Sequence, residues 1–268
     1  MEKLKEFQVL IPMTGYGSRF VDRGYKKLKP FIDVHGKPII EWVVKMFPGD
    51  EHNITFICRE EHLKEIDYMK SELNRIAPDA SIFSIKKWEK KGPVIDVLKA
   101  KSIFSDSKPI IVSYCDFYMH WDYYFFKDSV LKKNFDGALP CYSGFHPHLI
   151  PDKNLYGSCS VDKHNNLIEI REKFSWHKDK TKDINSPGIF YFKNASTLIK
   201  YCNELVDSND HINNEFYMSL PYNYLVKDSL KVWCPENVTH FCQWGTPEDL
   251  EDYLYWIEKI SYEWEADQ

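Results

Sequence analysis

The segment VLIPMTGYGSRF, from Val9 to Phe20, places chemically useful residues directly after an apolar run. Gly15 and Gly17 lack a Cβ, so the backbone N–H groups beside them can turn toward an anion. Arg19 adds a permanently charged, forked donor that matches phosphate oxygens. The same spacing fits a tight turn with a solvent-facing arginine. The segment lacks the third glycine of a dinucleotide fingerprint, and it also lacks the Gly-Lys-Ser/Thr of a P-loop. Both interpretations stay open on this segment alone.

Four charged residues further along the chain could complete such a site. Lys29 lies in the basic connection VDRGYKKLKP, Asp116 follows the apolar run PIIVSYC, and Glu172 and Lys173 are adjacent in a later segment. Each also fits a plainer role: a solvated lysine, a turn aspartate at a strand end, or a charged pair at a strand end. A hard carboxylate that ends a buried strand is, however, a suitable ligand for Mg²⁺.

The order of these motifs resembles the sugar-1-phosphate nucleotidylyltransferase superfamily, the NDP-sugar pyrophosphorylases, over nearly the whole chain. That family has GxGxR, then Lys-Pro, then Gly-Lys-Pro before an apolar helix, which correspond here to GYGSRF, Lys29-Pro30 and Gly36-Lys37-Pro38. The later segments KKGPVIDVLKAK, VSYCDFY, LYGSCSVDKHNNLIEIREKF, SPGIFYFKN and QWGTPEDL follow in the family's order.

The resemblance implies a nucleotidyltransferase that joins a nucleoside triphosphate to a phosphorylated sugar or sugar-like acceptor and releases pyrophosphate. The compact chain is similar to members that supply capsule or surface polysaccharides, which favours CTP, with UTP and dTTP as alternatives. No covalent nucleophile is needed for this reaction. Both reactants are polyanions, so the protein must hold negative groups together and neutralise charge as it moves to the leaving group.

The resemblance also implies a role for individual residues. Arg19 and Lys29 are expected to be catalytic, with Arg19 on the triphosphate and Lys29 between the acceptor phosphate and the α-phosphate. The expected nucleotide-binding residues are Thr14, Gly15, Tyr16, Gly17, Ser18, Gly92 and Pro93, and the expected acceptor-binding residues are Gly157, Glu172 and Lys173.

Magnesium is the implied cofactor, and Asp116 is its expected ligand. The family often supplies a second carboxylate late in the chain, where this sequence has Gln243 in FCQWGTP. Asp249, Glu248 or Glu215 could complete the site, or one protein carboxylate could suffice with waters and phosphates. Asp249 also fits the first turn of the last helix, where an acidic residue is favourable.

The first half of the sequence alternates apolar strand patterns with helical patterns, which is typical of βαβ units and a parallel sheet. We therefore expect a mixed, mostly parallel, Rossmann-like α/β sheet flanked by helices, of the GT-A-like type, with a small β-rich acceptor-binding portion. We expect one domain over residues 1–268, with a nucleotide-binding half to about 135 and an acceptor-binding half from about 136. In the first half, the expected strands are 7–13, 53–60, 80–88 and 108–118, and the expected helices begin at Pro38 or span 61–77 and 92–104. In the second half we expect a hairpin at 156–174, a strand at 186–194, a helix at 195–208, strand-like residues at 229–244 and a helix from Thr246.

Composition limits the class of protein. The 268 residues carry a formal net charge of −5, which argues against a general nucleic-acid surface. The N-terminal segment lacks the features of a secretory signal, and no apolar run suggests a membrane span. Seven scattered cysteines without CxxC spacing are typical of reduced thiols in a cytoplasmic protein.

His146 and His148 have the spacing of a metal pair, but we expect a solvated or acceptor-lining loop. A homo-oligomer stays open.

Two other classes share features of this sequence. A GT-A-like glycosyltransferase would use a nucleotide sugar and a DxD-type metal site, but Phe117 and Tyr118 follow Asp116 here. A non-catalytic nucleotide-sugar sensor on the same fold would not need Arg19 and Lys29 together with that aspartate. Release of pyrophosphate from a nucleoside triphosphate separates the predicted enzyme from both.

Overall fold

A twisted sheet of seven strands forms the centre of the molecule in a computed structural model, which describes residues 6–150 and 154–266. In sheet order the strands are Val232–Trp233, Gly137–Ala138, Ile189–Phe192, Ile110–Ser113, Gln8–Pro12, Ile54–Arg59 and Ser81–Ile85. Only Ile189–Phe192 runs antiparallel to its neighbours. The prediction of a mixed, mostly parallel α/β sheet is confirmed.

The strands and helices of the described residues are numbered here in chain order. The strands are β1 (Gln8–Pro12), β2 (Asp33–Val34), β3 (Lys37–Pro38), β4 (Ile54–Arg59), β5 (Ser81–Ile85), β6 (Ile110–Ser113), β7 (Phe117–Trp121), β8 (Gly137–Ala138), β9 (Gly157–Val161), β10 (Leu167–Glu172), β11 (Ile184–Ser186), β12 (Ile189–Phe192), β13 (Val232–Trp233) and β14 (Val238–Gln243). The helices are α1 (Ser18–Asp22), α2 (Ile39–Lys45), α3 (Glu60–Glu65), α4 (Asp67–Ile76), α5 (Pro93–Lys99), α6 (Tyr123–Lys132), α7 (Ala195–Asp207), α8 (Pro221–Lys227) and α9 (Pro247–Ala266).

Both faces of the central sheet are buried, which explains why its strands read as continuous apolar runs. Side chains alternate between the two faces of a strand. In β1, Val9 and Ile11 therefore join the hydrophobic cluster on one face, while Leu10 joins the cluster on the other. In β4, Phe56 joins the first of these clusters and Ile57 joins the second. The sheet is thus fixed on both sides, and its loops are held at its edges.

Two predicted elements are divided in the structure. The expected strand over 108–118 ends at Ser113, where the Tyr114 N–H donates to the Gly188 carbonyl at 3.0 Å, and the chain then enters β7, which pairs with β14 in a separate sheet. The expected helix over 61–77 is broken at Ile66, whose φ of −114° and ψ of 93° are not helical. Pro38 lies one residue before α2 in extended backbone rather than inside its first turn.

A smaller sheet in the second half carries the segment expected to face the acceptor. Strand β9 lies between β10 and β11 and is antiparallel to both, so the predicted hairpin at 156–174 is confirmed. Its turn is closed by the Asp162 carboxylate, which accepts from the N–H groups of His164 and Asn166 at 2.8 Å each. Asn165 takes the left-handed backbone conformation at φ 60°.

Three cysteines that are far apart in sequence meet in the core. The Sγ atoms of Cys141, Cys159 and Cys234 lie within 4.8 Å of one another, and all three residues are buried. All seven cysteines are free thiols, and all except Cys115 are buried, where thiols pack as small hydrophobic residues. Their sequence spacing gave no sign of this convergence. Within residues 6–150 and 154–266, no helix is both long and apolar enough to cross a membrane.

A buried ion pair holds the beginning of β1 to helix α6. The Lys127 ammonium lies 2.5 Å from Asp50 Oδ2, and both side chains are almost fully buried. The same carboxylate accepts from the Tyr123 hydroxyl at 2.6 Å and from the Phe7 N–H at 3.1 Å. Every charge in this network is therefore matched inside the core.

Because of this matching, we expect Lys127→Met to lower the free energy of unfolding by about 3–5 kcal/mol, since it leaves the Asp50 carboxylate buried without its cation. Denaturant titration measures the change. Lys132→Met is the control, because Lys132 forms an exposed pair with Asp128 on the same helix and should change stability by less than about 0.5 kcal/mol. Equal effects of the two substitutions would contradict the proposed importance of the buried pair.

Candidate active site

A cavity of about 800 Å³ opens where β1, β5 and β6 end. Ligands of open α/β sheets bind at this carboxyl edge, because the loops that leave parallel strands meet there. Every residue predicted for the site lines this cavity except Asp249 and Glu248, two of the candidates for a second metal ligand. The lining members are Thr14, Gly15, Tyr16, Gly17, Ser18, Arg19, Lys29, Gly92, Pro93, Asp116, Gly157, Glu172 and Lys173.

The glycine loop leaves β1 with its backbone open to the cavity. Gly17 has a φ of 61° and lies so close to Lys29 that a Cβ on it would come 3.3 Å from that residue's Cβ. A Cβ on Gly15 would meet nothing within 4 Å. The N–H groups of Gly15, Tyr16 and Gly17 donate no hydrogen bond among the described residues. The loop therefore presents unpaired donors, which an anion could accept.

Arg19 is exposed beside this loop and forms no ion pair among the described residues. Arg23, the residue that caps the carboxyl end of α1, instead forms an exposed pair with Glu251 at 2.6 Å. The two arginines thus differ although they lie only four residues apart. Arg19 lines the cavity with its charge uncompensated, and Arg23 fixes α1 to α9.

Lys29 and Asp116 form an ion pair on the cavity wall, with 2.7 Å between Nζ and Oδ2. Burial lowers the pKa of Lys29, but the Asp116 carboxylate and the nearby Cys115 thiol outweigh it, so that the net direction is upward. Lys29 is therefore charged at neutral pH. Residues 87 positions apart in the sequence meet here, because one follows the glycine loop and the other follows β6.

The surroundings of Asp116 fit a magnesium ion. Gly245 leaves room beside this carboxylate, since a Cβ there would come 3.0 Å from Asp116 Oδ2 and 3.0 Å from Gln243 Nε2. The Asp116 carboxylate is a hard oxygen donor, and Mg²⁺ keeps several waters and takes substrate phosphates as its other ligands. The chain would thus hold the ion through Asp116, with Gln243 next to it.

The candidates for a second carboxylate ligand lie at different places. Glu215 lines the cavity and accepts from the Tyr217 hydroxyl at 3.0 Å. Asp249 does not line it, and its carboxylate accepts from the Thr246 hydroxyl at 2.7 Å at the start of α9. Burial raises the pKa of Asp249, although the hydrogen bond from Thr246 lowers it. The geometry of Asp249 is that of a residue in a helix cap.

Gly92 has a structural requirement of its own. Its φ is 90°, and a Cβ would come 2.6 Å from the carbonyl oxygen and 2.7 Å from the nitrogen of Phe216. The Phe216 N–H also donates to the Lys91 carbonyl at 2.9 Å. The segment before α8 therefore packs directly on the loop before α5. The glycine is needed for this contact, independently of any contact with a base.

The acceptor side of the cavity is built on the β9–β10 hairpin. The Glu172 carboxylate lies against Gly157, where a Cβ would come 3.0 Å from its Oε1, and it accepts a short hydrogen bond from the Ser219 hydroxyl. Burial raises the pKa of Glu172 to about 7 although that hydrogen bond lowers it. Lys173 donates to the Tyr217 hydroxyl at 3.0 Å. An acid, a hydroxyl and an ammonium thus face one end of the cavity.

Sequence reasoning missed several lining residues, of which Asp96 is the most unusual. It is 3% exposed in helix α5 and accepts from the Thr14 hydroxyl at 2.5 Å and from the Trp88 indole N–H at 3.4 Å. Burial raises its pKa to about 6, and both hydrogen bonds lower it. An isolated acid within the apolar pattern PVIDVL was the available signal.

His146 and His148 do not lie in a solvated loop, and they are not among the residues that line the cavity. They pack into an aromatic cluster around Tyr142. The centroid of the Tyr142 ring lies 4.7 Å from that of His146 and 5.6 Å from that of His148. The Tyr142 hydroxyl and His148 Nε2 share a hydrogen bond of 2.8 Å. Burial lowers the pKa of His148 to about 3, so its ring is neutral.

No protein-family model matches the chain. Among curated proteins it is similar to the bifunctional protein GlmU of Buchnera aphidicola subsp. Schizaphis graminum, with 28% identity over 215 residues. That alignment covers 80% of this chain and 42% of the relative, so the chain spans less than half the length of the curated protein it matches.

Solved structures resemble this chain over almost its whole length. The nucleoside-diphosphate-sugar pyrophosphorylase of Vibrio cholerae RC9 superposes with a TM-score of 0.72 at 18% identity, covering 92% of this chain and 100% of that one. A UDP-glucose pyrophosphorylase complexed with UDP-glucose gives 0.73 at 13% identity, with 95% and 99% covered. The inositol-1-phosphate CTP transferase of T. maritima gives 0.66 at 14% identity, with 93% of both chains covered. The fold that the resemblance implies is therefore confirmed.

The raised pKa of Glu172 makes stability depend on pH. Its pKa is 4.5 when exposed and about 7 in the fold, so the native state binds more protons between these values and stability falls as pH rises through that window. We expect wild type to lose about 1–3 kcal/mol relative to Glu172→Gln between pH 4.5 and 7. Denaturant titrations of both proteins at a series of pH values measure this difference. Parallel pH profiles would show that the carboxyl group is not perturbed in the fold.

Proposed function

We propose that the chain is a nucleotidyltransferase that joins a nucleoside triphosphate to a phosphorylated sugar or sugar-like acceptor and releases pyrophosphate. The observation that carries this proposal is the meeting of Arg19, Lys29 and Asp116 on one cavity that Glu172 and Lys173 also line. The fold shared with sugar nucleotidyltransferases supports it. So does the similarity to GlmU, although this chain spans only part of that protein.

The arrangement of charge suits a reaction between two polyanions. The open N–H groups of the glycine loop and the unpaired Arg19 guanidinium would bind the triphosphate. Lys29 carries its charge in the protein, because the Asp116 carboxylate favours the ammonium form. Its position between loop and carboxylate would let it contact both the α-phosphate and the acceptor phosphate.

The reaction itself needs no nucleophile from the chain. A phosphate oxygen of the acceptor would attack the α-phosphorus, the bond from that phosphorus to the bridging oxygen would break, and pyrophosphate would leave with the electron pair. Arg19 would stabilise the charge that accumulates on the leaving group, and Lys29 would hold the attacking and attacked phosphates together. A magnesium ion bound through Asp116 would supply further neutralisation of phosphate charge.

The acceptor would occupy the hairpin end of the cavity. Gly157 would let it lie close to the backbone, the Glu172 carboxylate would accept hydrogen bonds from its hydroxyls, and Lys173 would contact its phosphate. This division corresponds to the nucleotide-binding and acceptor-binding halves of a single domain, which we retain as a proposal together with a cytoplasmic location.

Within this reaction class we favour CTP, with UTP and dTTP as alternatives, and a role in supplying precursors of capsule or surface polysaccharides. One solved structure of this fold is described as a CTP transferase and another as a UDP-glucose pyrophosphorylase, so the fold is compatible with either base. A GT-A-like glycosyltransferase would release no pyrophosphate from a nucleoside triphosphate, and the same assay therefore tests that alternative.

We expect Arg19→Ala to lower turnover by about 10²–10³-fold, because one charge-stabilising donor is lost where negative charge develops. Arg23→Ala is the matched control, since it removes the arginine at the end of the same helix, which pairs with Glu251 instead of lining the cavity. Pyrophosphate release from CTP or UTP with a panel of sugar 1-phosphates measures both variants. Full activity of Arg19→Ala would reject the role in catalysis assigned to the loop. If the nucleotide affinity of this variant were also unchanged, the loop would be a structural turn.

We also expect Asp116→Asn to raise the Mg²⁺ concentration required for half-maximal turnover by at least about tenfold, since the charged oxygen ligand is lost. Titration of Mg²⁺ into the metal-depleted protein with nucleotide present measures this requirement. Asp33→Asn removes an exposed carboxylate that pairs with Lys27 and should leave the requirement unchanged. An unchanged requirement in Asp116→Asn would mean that the metal is held elsewhere.

A further inference from the structure

Tyr16 carries the one side chain between Thr14 and Ser18, because Gly15 and Gly17 flank it. The N–H groups of these three residues donate no hydrogen bond among the described residues. A segment with two glycines has much conformational freedom to lose when it becomes ordered. The position of the glycine loop therefore depends on what the Tyr16 ring packs against.

The Tyr16 ring contacts a buried arginine at the end of the neighbouring strand. Arg59 is the last residue of β4, and its side chain is fully buried. Its Cζ atom lies 3.7 Å from the centroid of the Tyr16 ring and 4.6 Å from that of the Trp88 ring, in the loop after β5. The two rings meet edge to face and line the cavity, whereas Arg59 is not among the lining residues. One guanidinium thus supports two parts of the cavity wall.

This guanidinium has few polar partners for a buried charge. Nη2 donates a short hydrogen bond to His62 Nε2, and Nη1 lies 3.4 Å from a carboxylate oxygen of the half-exposed Glu61. Nε is buried and has no hydrogen-bond partner among the described residues. Burial and the neighbouring guanidinium lower the pKa of His62 to about 4, so its ring is neutral and can accept. The faces of the two aromatic rings therefore stabilise the Arg59 charge, as desolvated cation–π contacts do.

We propose that Arg59 is a positioning residue for phosphate binding, which holds the glycine loop in place through the Tyr16 ring and keeps its N–H groups open to the cavity. The proposal rests on the function proposed above, because it assumes that the phosphates of a nucleotide occupy the loop. Arg59 touches no phosphate. It acts by restricting, before the ligand arrives, the conformational freedom that the loop would otherwise lose on binding.

Two effects of Arg59 on phosphate binding can be separated. Its charge contributes a positive potential at the loop, and this contribution remains when the Tyr16 ring is removed. The positioning effect requires the ring, since the ring carries the contact with the guanidinium. Losses caused by substitutions of Arg59 and Tyr16 therefore add if only charge matters. They do not add if the two side chains act as one unit.

The test is calorimetric titration of pyrophosphate, CTP and UTP with Mg²⁺ into wild type, Arg59→Met, Tyr16→Leu and the double variant. We expect each single substitution to weaken pyrophosphate binding by about tenfold, which corresponds to the cost of ordering one residue. The double variant should bind about as weakly as either single variant, whereas independent effects would give a loss of about a hundredfold. CTP and UTP should lose affinity by the same factor, because the loop would contact the phosphates that they share.

Arg75→Met is the control for the loss of an arginine. Arg75 lies on α4, is half exposed, and pairs with Glu41 and Glu72. Its substitution should leave the affinity for pyrophosphate and for both nucleotides unchanged. If Arg59→Met does not fold, Arg59→Lys takes its place in the same cycle, because lysine keeps the charge but not the planar group that packs on the ring.

The outcomes separate this inference from the proposed function. Wild type that binds neither pyrophosphate nor any common nucleoside triphosphate would overturn both. If wild type binds a nucleotide but not pyrophosphate, the cycle is evaluated with that nucleotide. Normal binding by wild type with unchanged affinity in either folded single variant, or with additive losses in the double variant, would overturn the inference and leave the nucleotidyltransferase proposal standing. Failure of both Arg59 variants to fold would show that Arg59 serves the fold as a whole, which would also overturn the inference.

Discussion

The ion pair between Lys29 and Asp116 is the contact on which the geometry of the cavity depends. It joins the connection after the glycine loop to the segment after β6, and these segments leave adjacent strands of the sheet. In the absence of substrate each group neutralises the other, so neither is left as an unpaired, partly buried charge. When phosphate and metal bind, both groups can exchange this partner for a ligand of opposite charge. The pair therefore keeps the two groups in place without a ligand.

Close backbone contacts impose a second constraint on the same cavity. Gly17 lies against Lys29, and Gly92 lies against Phe216, in each case at a positive φ. The first contact sets how near the phosphate-binding loop comes to the lysine. The second fixes the loop before α5, and with it Asp96, to the segment that leads into α8. Glycines at these positions thus determine distances between functional side chains that are far apart in the sequence.

The sequence allowed prediction of the parallel sheet, most of its strands and thirteen of the lining residues, because apolar periodicity and the order of short motifs are local signals. Asp96 was missed because its importance comes from three elements that meet only in the fold. The split after Ser113 was missed because a hydrogen bond from Tyr114 to Gly188 ends the strand there, and this partner lies 74 residues further on. His148, which packs against Tyr142, was wrongly expected to lie in a solvated or acceptor-lining loop. The reason is the same, because burial by distant residues is not encoded in local spacing.

The acids of the cavity differ in a way that suits a site for polyanions. Burial raises the pKa of Asp96 to about 6 and that of Glu172 to about 7, whereas Asp116 lies beside a lysine. The first two lie on different parts of the cavity wall, Asp96 against Thr14 of the glycine loop and Glu172 against Gly157 of the hairpin. Because part of their charge is neutralised by protons near neutral pH, they repel incoming phosphates less than fully ionised acids would. Asp116, by contrast, is accompanied by the Lys29 ammonium before any substrate binds.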